Sequence, residues 1–198
     1  LIPEQLLREN TCNNENFFSP SLLEDNLALL THSKDYYERF SSLLLTKKEI
    51  RPRGFPMSKE LVYREKKIAK GTIECVDFSI KNGISMNIAG GTHHAFQDRG
   101  EAFCMLNDQA IAANYLLENN KANKILIVDL DVHQGNGTAS IFNENKNVFT
   151  LSFHGKKNYP FKKEISDLDV DFPDNTDDKF YLSKLNEILP KVVDEFMP

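Results

Sequence analysis

The sequence lacks most features that would make it anything but a globular domain. No apolar run approaches the roughly 20 residues of a spanning helix; stretches such as KILIVDL at 124–130 fall far short, so no membrane partner is expected. Cysteines are few. Cys12, Cys75 and Cys104 are too scattered for a fully paired disulfide framework or a CxxC zinc ribbon, and they suit a reducing, cytoplasmic setting. Positive charge is not in excess: 24 Lys and Arg against 29 Asp and Glu give −5, which argues against direct, general nucleic-acid binding. Internal repeats and low-complexity tracts are also missing. The start, LIPEQLL, has neither Met nor the pattern of a secretory leader. With VVDEFMP closing directly after a predicted helix, the chain reads like the middle of a longer sequence.

What is present suits one domain: 198 residues, 40% hydrophobic and 27% charged. Ser19 and Pro20 mark a helix start in FFSPSLLEDNLALL, and Ser33 caps a second helix through KDYYERFSSLLL. RPRGFP at 51–56 is a loop. Ser58 opens a long helix to Asn82, closed by Gly83, whose Val62, Ala69, Ile73, Val76 and Ile80 form one apolar face. ISMNIAGG then reads as a short strand, and 107–119 as a helix. A strand at 124–131, a short helix near 138–143, a strand at 148–153 and a last helix at 176–196 follow, with Pro190 a candidate break. Strands alternating with helices predict an α/β fold: a central parallel sheet with helices on both faces, in three αβα layers.

In such sheets ligands sit at the carboxyl ends of the strands. The segments leaving the three strands are GGTHHAF, DLDVHQGNG and SFHGKKNYP, and they hold four of the five histidines. The fifth, His32, reads as a surface or packing residue between helices. Asp129, Asp131 and His133 alternate, so a continuing strand would put all three on one face. Asp131 and His133 offer a carboxylate oxygen and an imidazole nitrogen, both zinc donors, and a catalytic zinc needs three such ligands with one position open. His93 and His94 stand where they could act on water, with Asp129 and Asn136 as acceptors able to fix their tautomers. REKK at 64–67 reads as solvated surface charge.

At these residues the sequence resembles the zinc-dependent histone deacetylase family, which shares its fold with arginase. GGTHHA at 90–95, FCMLND at 103–108, VDLDVHQGNGT at 128–138 and LSFH at 151–154 appear in the family's order, and THSKDYYERF and GFPMS are similar to bacterial members. HQGNG and DRGEAFC look most like the class IV branch and its bacterial relatives. The resemblance implies that Asp131 and His133 ligate zinc and that His93 and His94 are the tandem catalytic pair, His94 being the general base. Asp129 would hydrogen-bond His93, and Asn136 would support His94. Phe103 and Tyr159 would wall an acyl-lysine tunnel, with the basic run 156–163 at its rim. A structural potassium ion would be held by Asp129, Asp131, Ser152 and the carbonyls of His133 and Phe153.

The same resemblance marks departures. The family's third zinc-ligating Asp and its transition-state Tyr come from later segments, so residues 1–198 read as a single, incomplete deacetylase catalytic domain lacking the C-terminal part of the fold. SDLDVDFPD at 166–174 is a loop in the family and is not expected to supply the missing carboxylate. Ala102 replaces a common Gly beside the substrate and would narrow the tunnel. Asn136 replaces a common Asp, so His94 is expected to stay neutral at physiological pH. The implied activity is hydrolysis of an acyl-lysine protein or peptide, or of a related acylated small amine. Two alternatives remain: a non-catalytic, metal-free fragment or acyl-lysine binding module, and an arginase-like ureohydrolase. The latter needs an Asp where Gly135 stands.

Overall fold

The structure, a computed structural model, describes all 198 residues. Five helices precede the first strand's own helical neighbour: α1 (Ile2–Arg8), α2 (Asp25–Ala28), α3 (Lys34–Ser41), α4 (Lys47–Ile50) and α5 (Lys59–Asn82). Then come α6 (Asp108–Glu118), β1 (Ile125–Asp129), α7 (Asn136–Phe142), β2 (Val148–Gly155), β3 (Leu168–Phe172) and α8 (Asp178–Phe196). Ser33 and Ser58 cap α3 and α5 through their side chains, as their positions predict, and Asn107 does the same for α6. RPRGFP begins as a 3-10 turn over Arg51–Arg53 and continues as loop.

The sheet is parallel, in the order β1-β2-β3, with Asp129 opposite Ser152. Ile125, Ile127 and Val148 turn to one face and pack with Ala110, Ala113 and Phe142 of α6 and α7. Leu126, Val128, Leu151, Phe153, Val170 and Phe172 turn to the other and pack with Tyr181, Leu185, Leu189 and Val192 of α8. Helix, sheet and helix thus form the three layers. A separate cluster, with Tyr36, Phe40, Ile73, Leu106 and Ile111 at its centre, joins α3, α5 and α6 beside the sheet.

Five expectations are corrected. The helix foreseen at Ser19–Pro20 starts only at Asp25, because Glu74 of α5 captures both the N–H (3.0 Å) and the hydroxyl (2.5 Å) of Ser21 and holds that segment extended. ISMNIAGG forms no strand: a strand exists only through its ladder, and residues 84–87 pair with nothing, leaving Ile84 and Met86 exposed. SDLDVDFPD is instead a strand. Leu168, Val170 and Phe172 alternate with aspartates, the period-2 signature of a half-buried strand. Pro190 does not break α8, and Ile80 of α5 is exposed rather than on the buried face.

Glu65 faces inward from α5, with one oxygen 2.7 Å from Arg64 and the other unpartnered. Burial pushes its carboxyl up from 4.5 to about 7, and the Arg64 charge opposes this only in part. The folded chain therefore keeps a proton that the unfolded chain releases above 4.5. Between those two pH values stability falls as pH rises, by about 3 kcal/mol in all. Glu65→Gln should remove this loss, and urea midpoints at pH 5 and pH 8 would show it. A variant that keeps the wild-type slope would exclude Glu65 as its source.

Candidate active site

The site assembles where β1 and β2 end. Asp129 is the last residue of β1 and shares the face of Ile125 and Ile127, the one turned to α7. The ladder stops there, so Asp131 and His133 lie in the following loop and not in a row on the strand as alternation suggested. They still converge. Asp131 Oδ1 accepts the His133 N–H at 2.7 Å and lies 2.9 Å from His133 Nδ1.

The loop 90–96 delivers the paired histidines, and a buried carboxylate shapes it. Asp108, 1% exposed at the start of α6, accepts from Thr92 N (2.7 Å), Thr92 Oγ1 (2.6 Å), Gly91 N (3.1 Å) and Thr72 Oγ1 (2.5 Å). From the other side the start of α7 presses in. Thr138 N–H donates to the His93 carbonyl at 3.1 Å. A β-carbon on Gly137 would fall 2.7 Å from that oxygen and closer still to the Ala95 carbonyl, so only glycine permits the approach.

His93 and His94 then stand with ring centres 4.0 Å apart and different partners. His93 Nδ1 is 2.5 Å from Asp129 Oδ2, and its Nε2 is 4.0 Å from Asp131. Burial disfavours its charge, but the hydrogen bond and charge of Asp129, helped by Asp131, prevail and raise its pKa. His94 Nδ1 is 2.7 Å from Asn136 Oδ1, a neutral partner. Burial first, then the neighbouring His93 charge, push His94 down to about 4. The two imidazoles are thus pulled in opposite directions, His93 toward its charged form and His94 toward its neutral one, a split that acid–base chemistry can use.

Tyr159 lies edge-on to His94 at 5.0 Å and 6.1 Å from the His133 ring. Its phenol donates to Glu101; burial, then that carboxylate, raise the phenol's pKa. Phe103 is 59% exposed and packs edge-on against Phe55. It is presented by a tight turn in which Ala102 (φ 42°) and Phe103 (φ 68°) are both left-handed, a conformation that costs side-chain-bearing residues roughly 1–2 kcal/mol each. Reciprocal 2.9 Å bonds between Glu101 and Cys104 close the turn, and the carbonyls of Pro52 and Arg53 anchor its N–H groups.

Other expected residues lie apart. Ser152 turns its hydroxyl to His154 at 3.0 Å, and His154 lines a neighbouring cavity of about 670 Å³ with Leu130, Val132 and Tyr181. His32 is fully packed, bonded to the Phe96 carbonyl and the Asn107 N–H. The lysines of 156–163 are largely engaged: Lys156 with Asp171, Lys157 with Asp174, and Lys163 with the carbonyls of Asn158 and Pro160. Glu101 and Asp108 were not singled out from the sequence. Their one signal was a lone carboxylate beside a proposed tunnel wall and another just after a helix cap.

A parallel αβα fold, with a tandem histidine pair on a loop beside an Asp/His pair that follows β1, defines an α/β protein of the arginase/deacetylase fold. The structure of a histone deacetylase homologue from Aquifex aeolicus superposes with a TM-score of 0.82 at 24% identity, over 96% of this chain and 56% of that one, which shows the shared fold. The chain belongs to the histone deacetylase domain family, whose profile matches residues 1–198. An uncharacterized protein of the bacterium Picosynechococcus is 40% identical over 193 residues, 98% of this chain and 64% of that protein. Histone deacetylase 2 of Arabidopsis thaliana is 28% identical over 179 residues, 86% of this chain and 46% of that protein. The chain therefore spans between about half and two thirds of these relatives.

Proposed function

We propose that the protein is a zinc-dependent amide hydrolase that removes an acetyl or other acyl group from lysine side chains of proteins or peptides, or from a related acylated amine. Residues 1–198 supply most of one catalytic domain. The observation that carries this reading is the divided histidine pair: His93 on a carboxylate, His94 on an amide, 4.0 Å apart beside an Asp/His donor pair.

Asp131 and His133 fit zinc by chemistry and by spacing. Their donor atoms are 2.9 Å apart and share a hydrogen bond; opening by a few tenths of an ångström would reach the roughly 3.3–3.6 Å that two tetrahedral ligands about 2.0–2.2 Å from one metal need. No third His, Cys, Asp or Glu joins them within the chain; the family resemblance assigns that ligand to a later strand. When bound, zinc supplies Lewis acidity, polarising a carbonyl and making water more acidic. His94, with Nδ1 committed to Asn136, accepts a proton from water at Nε2. His93, whose charged form Asp129 favours, donates toward the developing negative charge and gives its own proton to the leaving amine. Phe103 and Tyr159 flank the acyl-lysine stem and exclude water, and Ala102 sets the width beside them. The potassium role of Asp129, Asp131, Ser152 and the carbonyls of His133 and Phe153 rests on the family resemblance alone; a cavity of about 10 Å³ touches Asp129 and Ser152 but is not lined by Asp131, His133 or Phe153.

The ureohydrolase reading is disfavoured. A β-carbon at Gly135 would collide with Asp129, so that position does not accept the carboxylate such a site needs. Metal analysis of the purified protein should give about one zinc per chain, lost in Asp131→Ala. An acetyl-lysine peptide should be hydrolysed by the full-length protein and protected by SAHA, the compound with which a solved homologue is complexed. Zinc-loaded protein that binds the peptide without cleaving it would instead establish a binding module.

A further inference from the structure

Asn136 has two distinguishable ends, and both are occupied. Its Oδ1 is 2.7 Å from His94 Nδ1, and its Nδ2 donates to Glu101 Oε1 at 3.4 Å. An ionised carboxylate only accepts, so the end of the amide facing Glu101 has to be the NH₂. That choice dictates the other end: a carbonyl faces His94, which must then carry its proton on Nδ1 and leave Nε2 bare. With the amide reversed, two oxygens would oppose each other at Glu101, and an NH₂ would face His94. His94 would then be driven to the tautomer with Nε2–H, which cannot accept a proton there.

We infer that Glu101 is a positioning residue that sets the amide orientation of Asn136 and, through it, the tautomer of His94. Glu101 touches neither histidine. It is held in place by the strained 101–104 turn, whose two left-handed residues carry full side chains and whose N–H groups are tied to the Pro52 and Arg53 carbonyls. The same carboxylate accepts the phenol of Tyr159 and has Arg99 Nε 3.5 Å from its second oxygen. One residue thus links the tunnel-wall turn, the start of α7 and the 156–163 loop. The strain in the turn has a use: it places this carboxylate opposite Asn136, 35 residues further along the chain.

The assignment rests on the hydrolase reading for its catalytic meaning, but the tautomer is measurable without activity. Long-range ¹H–¹⁵N spectra of histidine-labelled protein at pH 7.5 should show His94 in the Nδ1–H form. In Glu101→Ala the Nε2–H form should grow at least tenfold relative to wild type. Glu101→Gln, which keeps an acceptor oxygen, should retain the wild-type spectrum, and the His32 and His154 signals report whether each variant is folded. If Ala does not fold, Glu101→Met tests the same loss with a bulk close to native. Tyr159→Phe removes only the phenol bond and should leave His94 unchanged.

An unaltered His94 in folded Glu101→Ala overturns the inference. So does a Tyr159→Phe spectrum that copies Glu101→Ala, because the effect would then run through the tyrosine. Where deacylation is measurable, Glu101→Ala should lower kcat with little change in KM, and Glu101→Gln should restore it. Absence of deacylation in every variant, wild type included, would count against the hydrolase reading and leave the tautomer result standing.

Discussion

Replacing His94 with Ala is expected to lower kcat of the zinc-loaded, full-length protein by about 10²–10⁴-fold, the usual contribution of a positioned general base. The loss should fall on kcat more than on KM, since in the proposed mechanism the imidazole acts on water and not on the substrate stem. Asn136→Asp probes the same base from the other side. It would put a negative charge 2.7 Å from Nδ1, where an amide oxygen now sits, and an anion there favours imidazolium. His94, pushed down to about 4 by burial and by the His93 charge, should then titrate higher. A base is active only when unprotonated, so the acidic limb of the pH–rate profile must move to higher pH. An unmoved limb would mean that another group sets it, and residual activity near wild type in His94→Ala would remove His94 from the role altogether.

The second large effect is expected at Asp108, which touches no substrate. Its carboxylate gathers the N–H groups of Gly91 and Thr92 and the hydroxyls of Thr72 and Thr92, pinning the loop that carries both histidines to α5 and α6. Hydrogen bonds to a charged acceptor are worth about 1.5–3 kcal/mol each, and donors left unpaired in the interior add to the loss. Asp108→Ala should therefore cost about 3–5 kcal/mol in a urea titration, with amide exchange accelerated most at residues 92–95. Thr72→Val, which removes one donor of the four, should cost far less. Equal losses in the two variants would show that the network is not centred on the carboxylate.

The sequence by itself determined the elements whose signals are local. Ser33 and Ser58 satisfy orphan N–H groups of the helices they precede, and these are caps in the structure. The order of motifs also placed the chain in its family, because GGTHHA and VDLDVHQGNG each carry their chemistry in consecutive residues. Where the outcome depended on partners far along the chain, only the tertiary structure decided. Residues 84–87 have a strand's composition but no ladder, and the helix promised by Ser19 and Pro20 yields to Glu74, more than 50 residues away. Leu168, Val170 and Phe172 carried a readable alternation, yet their use as a strand depends on pairing with β2 and packing under α8.

At the site the division is the same. The residue types near the histidines were visible, as were the acceptors Asp129 and Asn136. That one imidazole would be pulled toward its charged form and its neighbour toward its neutral one was decided by burial and by which partner each ring reached. The roles of Asp108 and Glu101 arise from contacts made across 16 and 35 residues of chain, and such distances leave no trace in a local pattern.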